Sequence, residues 1–244
     1  MCRHLGYLGP RRSVADVLTA GENSLFVQSW APKDMRGGGT INADGFGAAW
    51  WDDDGARSYR NAMPIWSDPA VADVLGATSS TAVLGAVRSA TVGMPVERSA
   101  CAPFTDGTWA FSHNGVVFGW PDALADLASE VPPTELLALP APTDSAALWV
   151  ILRNLLRQHD PEKALRVLIS RVEQSSPAPR LNLLLSDGHT LYASAVYHSL
   201  SVLDTGDSVT VASEPTDGDS RWVSLADRTF VVARPGHVDV TDLD

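Results

Sequence analysis

The apolar positions of this chain follow two rhythms. Short runs bounded by turn residues occupy both ends of the sequence, and a helical period lies between them. CRHLGYL (2–8) is short, partly apolar and closed by Gly9-Pro10, which predicts a strand. SVADVLTAG (13–21) predicts a helix that Ser13 caps and Gly21 stops. FGAAWW (46–51) reads as a strand closed by a turn at Asp54-Gly55, and DPAVADVLGA (68–77) as helical. TAVLGAVRSATVG (81–93) is an apolar strand that ends in Arg88, and TWAFSHNGVVFGW (108–120) is another, broken at Asn114-Gly115.

The middle of the chain changes period. TDSAALWVILRNLLRQ (143–158) places Leu148, Ile151, Leu152 and Leu155 on one helical face. PEKALRVLISRVEQ (161–174) opens with Pro161 at a first helical position and keeps Leu165, Leu168, Ile169 and Val172 in register. The two predict an antiparallel helical pair. From 181 onward RLNLLLSDG, TLYASAVY, SLSVLDTG, SVTVASEP and TFVVARPG predict short strands separated by Gly, Asp and Pro turns. Strands, two long helices and more strands point to sheets covered by helices within one domain, 1–244.

Composition narrows the function. With 18 Lys+Arg against 29 Asp+Glu, the net charge of −11 opposes a nucleic-acid surface, which needs cations to displace phosphate counterions. A cationic small-molecule ligand suits that field better. No apolar run approaches bilayer length, and the start lacks the features of a signal peptide, so a cytoplasmic protein without a membrane role is expected. The two cysteines, Cys2 and Cys101, have no partner motif, and the six histidines are scattered, which disfavours a metal site. RGGG (36–39) lacks the Gly-Lys-Ser/Thr ending of a phosphate loop and reads as a lid or a plain connection. DDDG (52–55) lacks calcium-loop spacing and reads as a turn.

One position stands out chemically. If Met1 is removed, Cys2 carries a thiol and a free α-amine on the same residue. An α-amine titrates near 7.7–8.0 and a thiol at about 8.5, so the amine can take the thiol proton at little cost and later return it to a leaving group. Other residues carry two readings each. In SHNG (112–115) the Asn114 amide and the Gly115 N–H can serve as an oxyanion hole, or Asn-Gly can simply make a tight turn. Arg88 can clamp a carboxylate with its planar fork or lie solvated at a strand end. Asp144 can hold an ammonium group, or it or Thr143 can cap the helix that starts there.

Taken in order, MC at the start, NADGFG (42–47), VRSAT (87–91), SHNG (112–115) and TDS (143–145) resemble the class II glutamine amidotransferases, which are N-terminal-nucleophile hydrolases. The resemblance implies an α+β fold, a four-layer αββα sandwich. It implies Cys2 as nucleophile with its own amine as base, Asn114 and Gly115 as the oxyanion hole, and His113 supporting that hole. Arg88, Thr91 and Asp144 are implied to hold the carboxylate and amine of a glutamyl group. No cofactor or metal is implied, and the partner is a small-molecule γ-glutamyl substrate.

Ser89 and Val92 stand where many of the large amidotransferases carry Trp and His, and a stand-alone domain with no synthase domain to receive ammonia is expected. MCRHLGYLG together with VQSWAP (27–32) on a domain of this size is most similar to the γ-glutamyl amidohydrolases of ergothioneine biosynthesis. Their leaving group carries a trimethylammonium, which binds well against aromatic faces. An aromatic side chain is therefore expected at the mouth of the Cys2 pocket, from Trp30, Phe46, Trp120 or another tryptophan. Two alternatives stand beside this reading: a glutaminase subunit supplying a separate synthase, and a γ-glutamyl binding protein without catalysis.

Overall fold

The structure, a computed structural model, describes residues 2–36 and 40–243. In chain order the strands are β1 (Arg3–Ser13), β2 (Phe46–Asp52), β3 (Gly55–Asn61), β4 (Ser79–Val87), β5 (Phe104–Asp106), β6 (Trp109–Val116), β7 (Arg180–Ser186), β8 (Leu191–Ala195), β9 (Ser201–Asp204), β10 (Val209–Ala212), β11 (Val223–Ser224), β12 (Thr229–Arg234) and β13 (His237–Asp242). The helices are α1 (Val14–Thr19), α2 (Leu25–Gln28), α3 (Ala70–Asp73), α4 (Ala125–Ser129), α5 (Pro133–Leu137), α6 (Asp144–Leu156) and α7 (Pro161–Ser175). One antiparallel sheet runs β11-β9-β10-β1-β4-β2-β3, and a second runs β13-β12-β8-β7-β6-β5.

Side-chain alternation builds the layers, because successive residues of a strand face opposite sides of its sheet. Leu5 and Tyr7 of β1 and Val83 and Val87 of β4 pack outward with Val14, Leu18 and Leu25 of α1 and α2. Ala82 and Leu84 of β4 point the other way, onto Leu184 of β7, Ala193 of β8 and Val231 of β12. Leu183 and Leu185 of β7 then face outward again, onto Leu148 and Leu152 of α6 and Leu165 and Leu168 of α7. The order is helices, sheet, sheet, helices, which is the expected αββα sandwich. Among the described residues no helix is long and apolar enough to cross a membrane.

Local rules account for the helix ends. Ser13 accepts from the Asp16 N–H, Thr143 from Ala146 N and Asp160 from Lys163 N, each a side-chain cap on an otherwise unpaired donor. Trp149 of α6 stacks on Phe111 of β6 with ring centroids 5.7 Å apart and fastens the outer helical layer. Truncating Trp149 to alanine would cost about 3–5 kcal/mol.

The structure departs from the sequence pattern at the sheet edges. β3 and β13 carry no clear apolar alternation because each lies at the rim of its sheet, partly open to solvent. β1 continues past Gly9-Pro10 with a register shift between Leu8 and Arg12. The break expected at Asn114-Gly115 does not occur. β6 runs through both residues, which pair with Asn182 and Leu181 of β7.

Candidate functional site

Cys2 lies just ahead of β1, a strand flanked by β10 and β4 within its sheet. Its thiol is free and half-buried, and it points at the Ser89 carbonyl from 3.7 Å. The next residue fixes this end of the chain. Arg3 is only 2% exposed and pairs with the equally buried Glu214 at 2.9 Å. Its guanidinium also donates to the Cys2 carbonyl at 2.9 Å and to the Asp34 carbonyl. Glu214 accepts from the backbone N–H of Lys33 and Asp34 as well, so the carboxylate is well supplied with donors. His4 exchanges backbone and side-chain bonds with Ser213, and its Nδ1 meets Ser112 Oγ at 3.2 Å.

The NADGFG segment positions Arg88. Asp44 N donates to the Arg88 carbonyl, Arg88 N donates to the Gly45 carbonyl, and the Asp44 carboxylate accepts from Ala90 N at 2.8 Å. Gly45 sits at φ +116°, and a Cβ there would lie 2.3 Å from Cys101 Sγ, so the turn admits only glycine. Arg88 is buried. It donates to the Pro95 carbonyl at 2.8 Å, and no carboxylate among the described residues pairs with it.

β6 supplies the other wall. Asn114 is 1% exposed; its amide nitrogen reaches only Ser213 Oγ, at 3.5 Å, and its amide oxygen has no hydrogen-bond partner. The side chain is thus poised between weak partners. At Gly115 an added Cβ would meet the Arg180 carbonyl at 1.8 Å, so the close approach of β7 demands glycine. His113 Nε2 donates to that same carbonyl at 2.9 Å, and its Nδ1 meets Ser145 Oγ at 2.9 Å.

Two cavities meet at Cys2. The larger, about 240 Å³, is lined by Cys2, Ser89, Thr91, Gly115, Phe118, Arg180 and His198. The smaller includes Cys2, Arg88, Ser112, His113 and Ser145. The fold therefore brings Cys2, Arg88, Thr91 and Gly115 onto one connected site, with Asn114 directly behind it. Asp144 stands off the lining. It is 4% exposed and accepts from Val117 N at 2.9 Å and Ser145 N at 2.8 Å, which ties the end of β6 to the start of α6. The cap of α6 is Thr143, not Asp144.

None of the tryptophans lines the Cys2 cavities. Phe46 is core, Trp30 packs edge-on against Phe26 and Trp66, and Trp120 faces the α4–α6 layer. The aromatic at the mouth is Phe118, 40% exposed, and the guanidinium of Arg180 lies over its ring at 5.7 Å. The proposed lid, Gly37–Gly39, lies outside the described residues.

Burial, with the nearby His113, His198 and Arg3, holds the His4 pKa down at about 3. His198 is held at about 3 too, chiefly by burial and then by Arg180. Neither of these two imidazoles gains a proton at neutral pH. Burial pushes the Cys101 thiol up to about 11, against the pull of Arg88 and Arg60, so that sulfur is an inert core group.

Arg3, Glu214, Ser213 and Arg180 were not legible as site residues. A buried arginine and a distant glutamate carry no local pattern that reports their pairing.

A profile of class II glutamine amidotransferases matches residues 20–205. The chain is 41% identical over its whole length, and the whole length of the relative, to gamma-glutamyl-hercynylcysteine sulfoxide hydrolase of Mycolicibacterium smegmatis. It is 39% identical over all of its length and 97% of the relative to the enzyme of that name from Mycobacterium tuberculosis. Among solved structures, a glutamine aminotransferase class-II domain protein from Silicibacter pomeroyi superposes with a TM-score of 0.70 at 24% identity, covering 99% of each chain.

Proposed function

The chain belongs to the class II glutamine amidotransferases, and we propose that it is the member that hydrolyses the γ-glutamyl amide of γ-glutamyl hercynylcysteine sulfoxide. The products are glutamate and hercynylcysteine sulfoxide, an intermediate of ergothioneine biosynthesis. The observation that carries this reading is end-to-end identity with hydrolases named for that substrate, on a chain whose Cys2 thiol opens onto a cavity beside an arginine without a carboxylate partner.

With Met1 removed, the Cys2 α-amine takes the thiol proton, and sulfur attacks the γ-carbonyl carbon. Negative charge develops on the carbonyl oxygen, where the Asn114 amide and the Gly115 N–H donate to it; each such donor contributes about 3–4 kcal/mol to the transition state. The weak engagement of Asn114 supports this role, since its N–H has no strong bond to give up. The ammonium passes its proton to the departing nitrogen, the C–N bond breaks, and a glutamyl thioester remains. Water then attacks the thioester with the amine again as base, and glutamate leaves as the thiol is restored. Arg88 holds the glutamyl α-carboxylate. Asp144 serves the glutamyl amine side from behind the lining, by fixing the backbone at Val117 and Ser145, and Thr91 closes the site from the exposed loop.

The test is glutamate release from γ-glutamyl hercynylcysteine sulfoxide and from glutamine, with wild type and Cys2→Ala, after intact mass confirms loss of Met1. Preference for the first substrate, abolished in the variant, is the expected result. Preference for glutamine would replace this reading with an ammonia-supplying subunit.

A further inference from the structure

The walls of the Cys2 cavities contradict the charge of the whole chain. The protein carries a net −11, yet among the described residues no Asp or Glu lines either cavity, while Arg88 and Arg180 do. Arg88 sits in the smaller cavity, on the side assigned to the glutamyl group. Arg180 lies in the larger cavity, whose roughly 240 Å³ has room for the departing half of the substrate beside Thr91.

Arg180 is built to meet an anion. Its guanidinium carbon lies over the Tyr197 ring at 4.1 Å from the centroid and over the Phe118 ring at 5.7 Å. Ring contacts of that kind hold a guanidinium without using its N–H donors. No side-chain hydrogen bond or ion pair to a carboxylate engages those donors among the described residues. The backbone of the same residue is pinned, since its carbonyl accepts from His113 Nε2 and abuts Gly115. The ring faces that would attract a ligand cation are therefore already covered by a cation of the protein. What the cavity lacks is an anion, and a planar one suits the guanidinium fork best.

We propose that Arg180 binds the α-carboxylate of the leaving amine, so that the enzyme acts on γ-glutamyl amides of α-amino acids. This rests on the γ-glutamyl hydrolase reading above and specifies its leaving-group side. In such a substrate the carboxylate carbon is separated from the scissile nitrogen only by Cα, which places two carboxylates on opposite sides of the reacting carbonyl. Arg88 takes one and Arg180 the other. Glutamine, whose leaving group is ammonia, offers Arg180 nothing.

The experiment compares γ-glutamyl-S-methylcysteine with γ-glutamyl-S-methylcysteamine, which differ only in the leaving-group carboxylate. Wild type is expected to favour the first in kcat/KM by about ten- to a hundredfold, the range of a charge-assisted hydrogen-bonded pair. Arg180→Leu should raise KM for the first substrate and leave the second unchanged, and Arg180→Lys should restore part of the preference. A merely structural role would depress both substrates alike, and that result overturns the proposal. So does equal use of the pair by wild type, a comparison that needs no variant to fold. If wild type, verified free of Met1, releases glutamate from neither of these nor from γ-glutamyl hercynylcysteine sulfoxide, the hydrolase reading itself fails. If hydrolysis is robust but indifferent to the carboxylate, only the role of Arg180 fails.

Discussion

Arg3 and Glu214 stand 211 positions apart in the chain and 2.9 Å apart in the fold, and the arginine of this buried pair holds the carbonyl of Cys2. The pair links Cys2 to the segment that follows β10. Replacing Glu214 with Ala leaves a buried guanidinium uncompensated, which costs about 3–5 kcal/mol. Urea unfolding should show that loss, and the turnover of Cys2 should fall with it. Unchanged stability would mean that the ion pair does not anchor this end of the chain.

Asn114→Ala should lower kcat about 10²- to 10³-fold, the usual effect of one oxyanion donor, with KM little altered. Steady-state kinetics on a γ-glutamyl substrate checks the split. A rise in KM at constant kcat would assign Asn114 to binding instead.

Arg88→Gln removes the cation but keeps a hydrogen-bonding group at the smaller cavity. KM for the γ-glutamyl substrate should rise about tenfold or more, as expected when a charged pair becomes a neutral one. Glutamate as a competitive product inhibitor should weaken in parallel. Unaltered inhibition by glutamate would remove Arg88 from the carboxylate site.

Iodoacetamide at neutral pH should label Cys2 and spare Cys101 in the folded protein. Cys2 opens onto a cavity, whereas Cys101 is fully buried with its pKa pushed up to about 11. Peptide mass mapping before and after denaturation tests this. Labelling of Cys101 in the native state would contradict its burial.

Acid should weaken the fold before the carboxylates titrate. His4 and His198 have pKa values near 3 when folded, mainly because burial disfavours the imidazolium, against an ordinary 6.5. Between those values the unfolded chain binds protons that the native state does not. Stability is therefore complete above about pH 6.5 and declines as pH falls, by up to about 1.4 kcal/mol per pH unit for each histidine. Burial works upward on the Asp34 carboxyl, but hydrogen bonds from Ser199 and Arg36 outweigh it and bring it to about 2, so its loss comes later, below the ordinary carboxylate range. Urea midpoints at pH 7.5 and pH 5 should differ clearly in wild type and less in His198→Gln. A flat profile between them would show that the two imidazoles are not held neutral.

The well-patterned inner strands and the helical pair were legible in the sequence, because each depends on neighbours close along the chain. Apolar spacing marks the buried face of α7, and Asp160 and Pro161 mark its start. Asn114-Gly115 shows where that logic ends. Alone, the dipeptide signals a tight turn, but opposite Asn182 and Leu181 the ladder with β7 outweighs the turn preference and keeps the strand straight. The weakly patterned edge strands escaped notice because they bury too little to need alternation.

Only the tertiary structure decided that Arg3 is buried against Glu214, that Asp144 supports the end of β6 instead of capping α6, and that the cavities at Cys2 carry arginines and no carboxylate inside an acidic protein. Each of these is a pairing across distant segments, set by sheet register and by the demand that a buried charge find a partner or a ligand. No window along the chain contains that information.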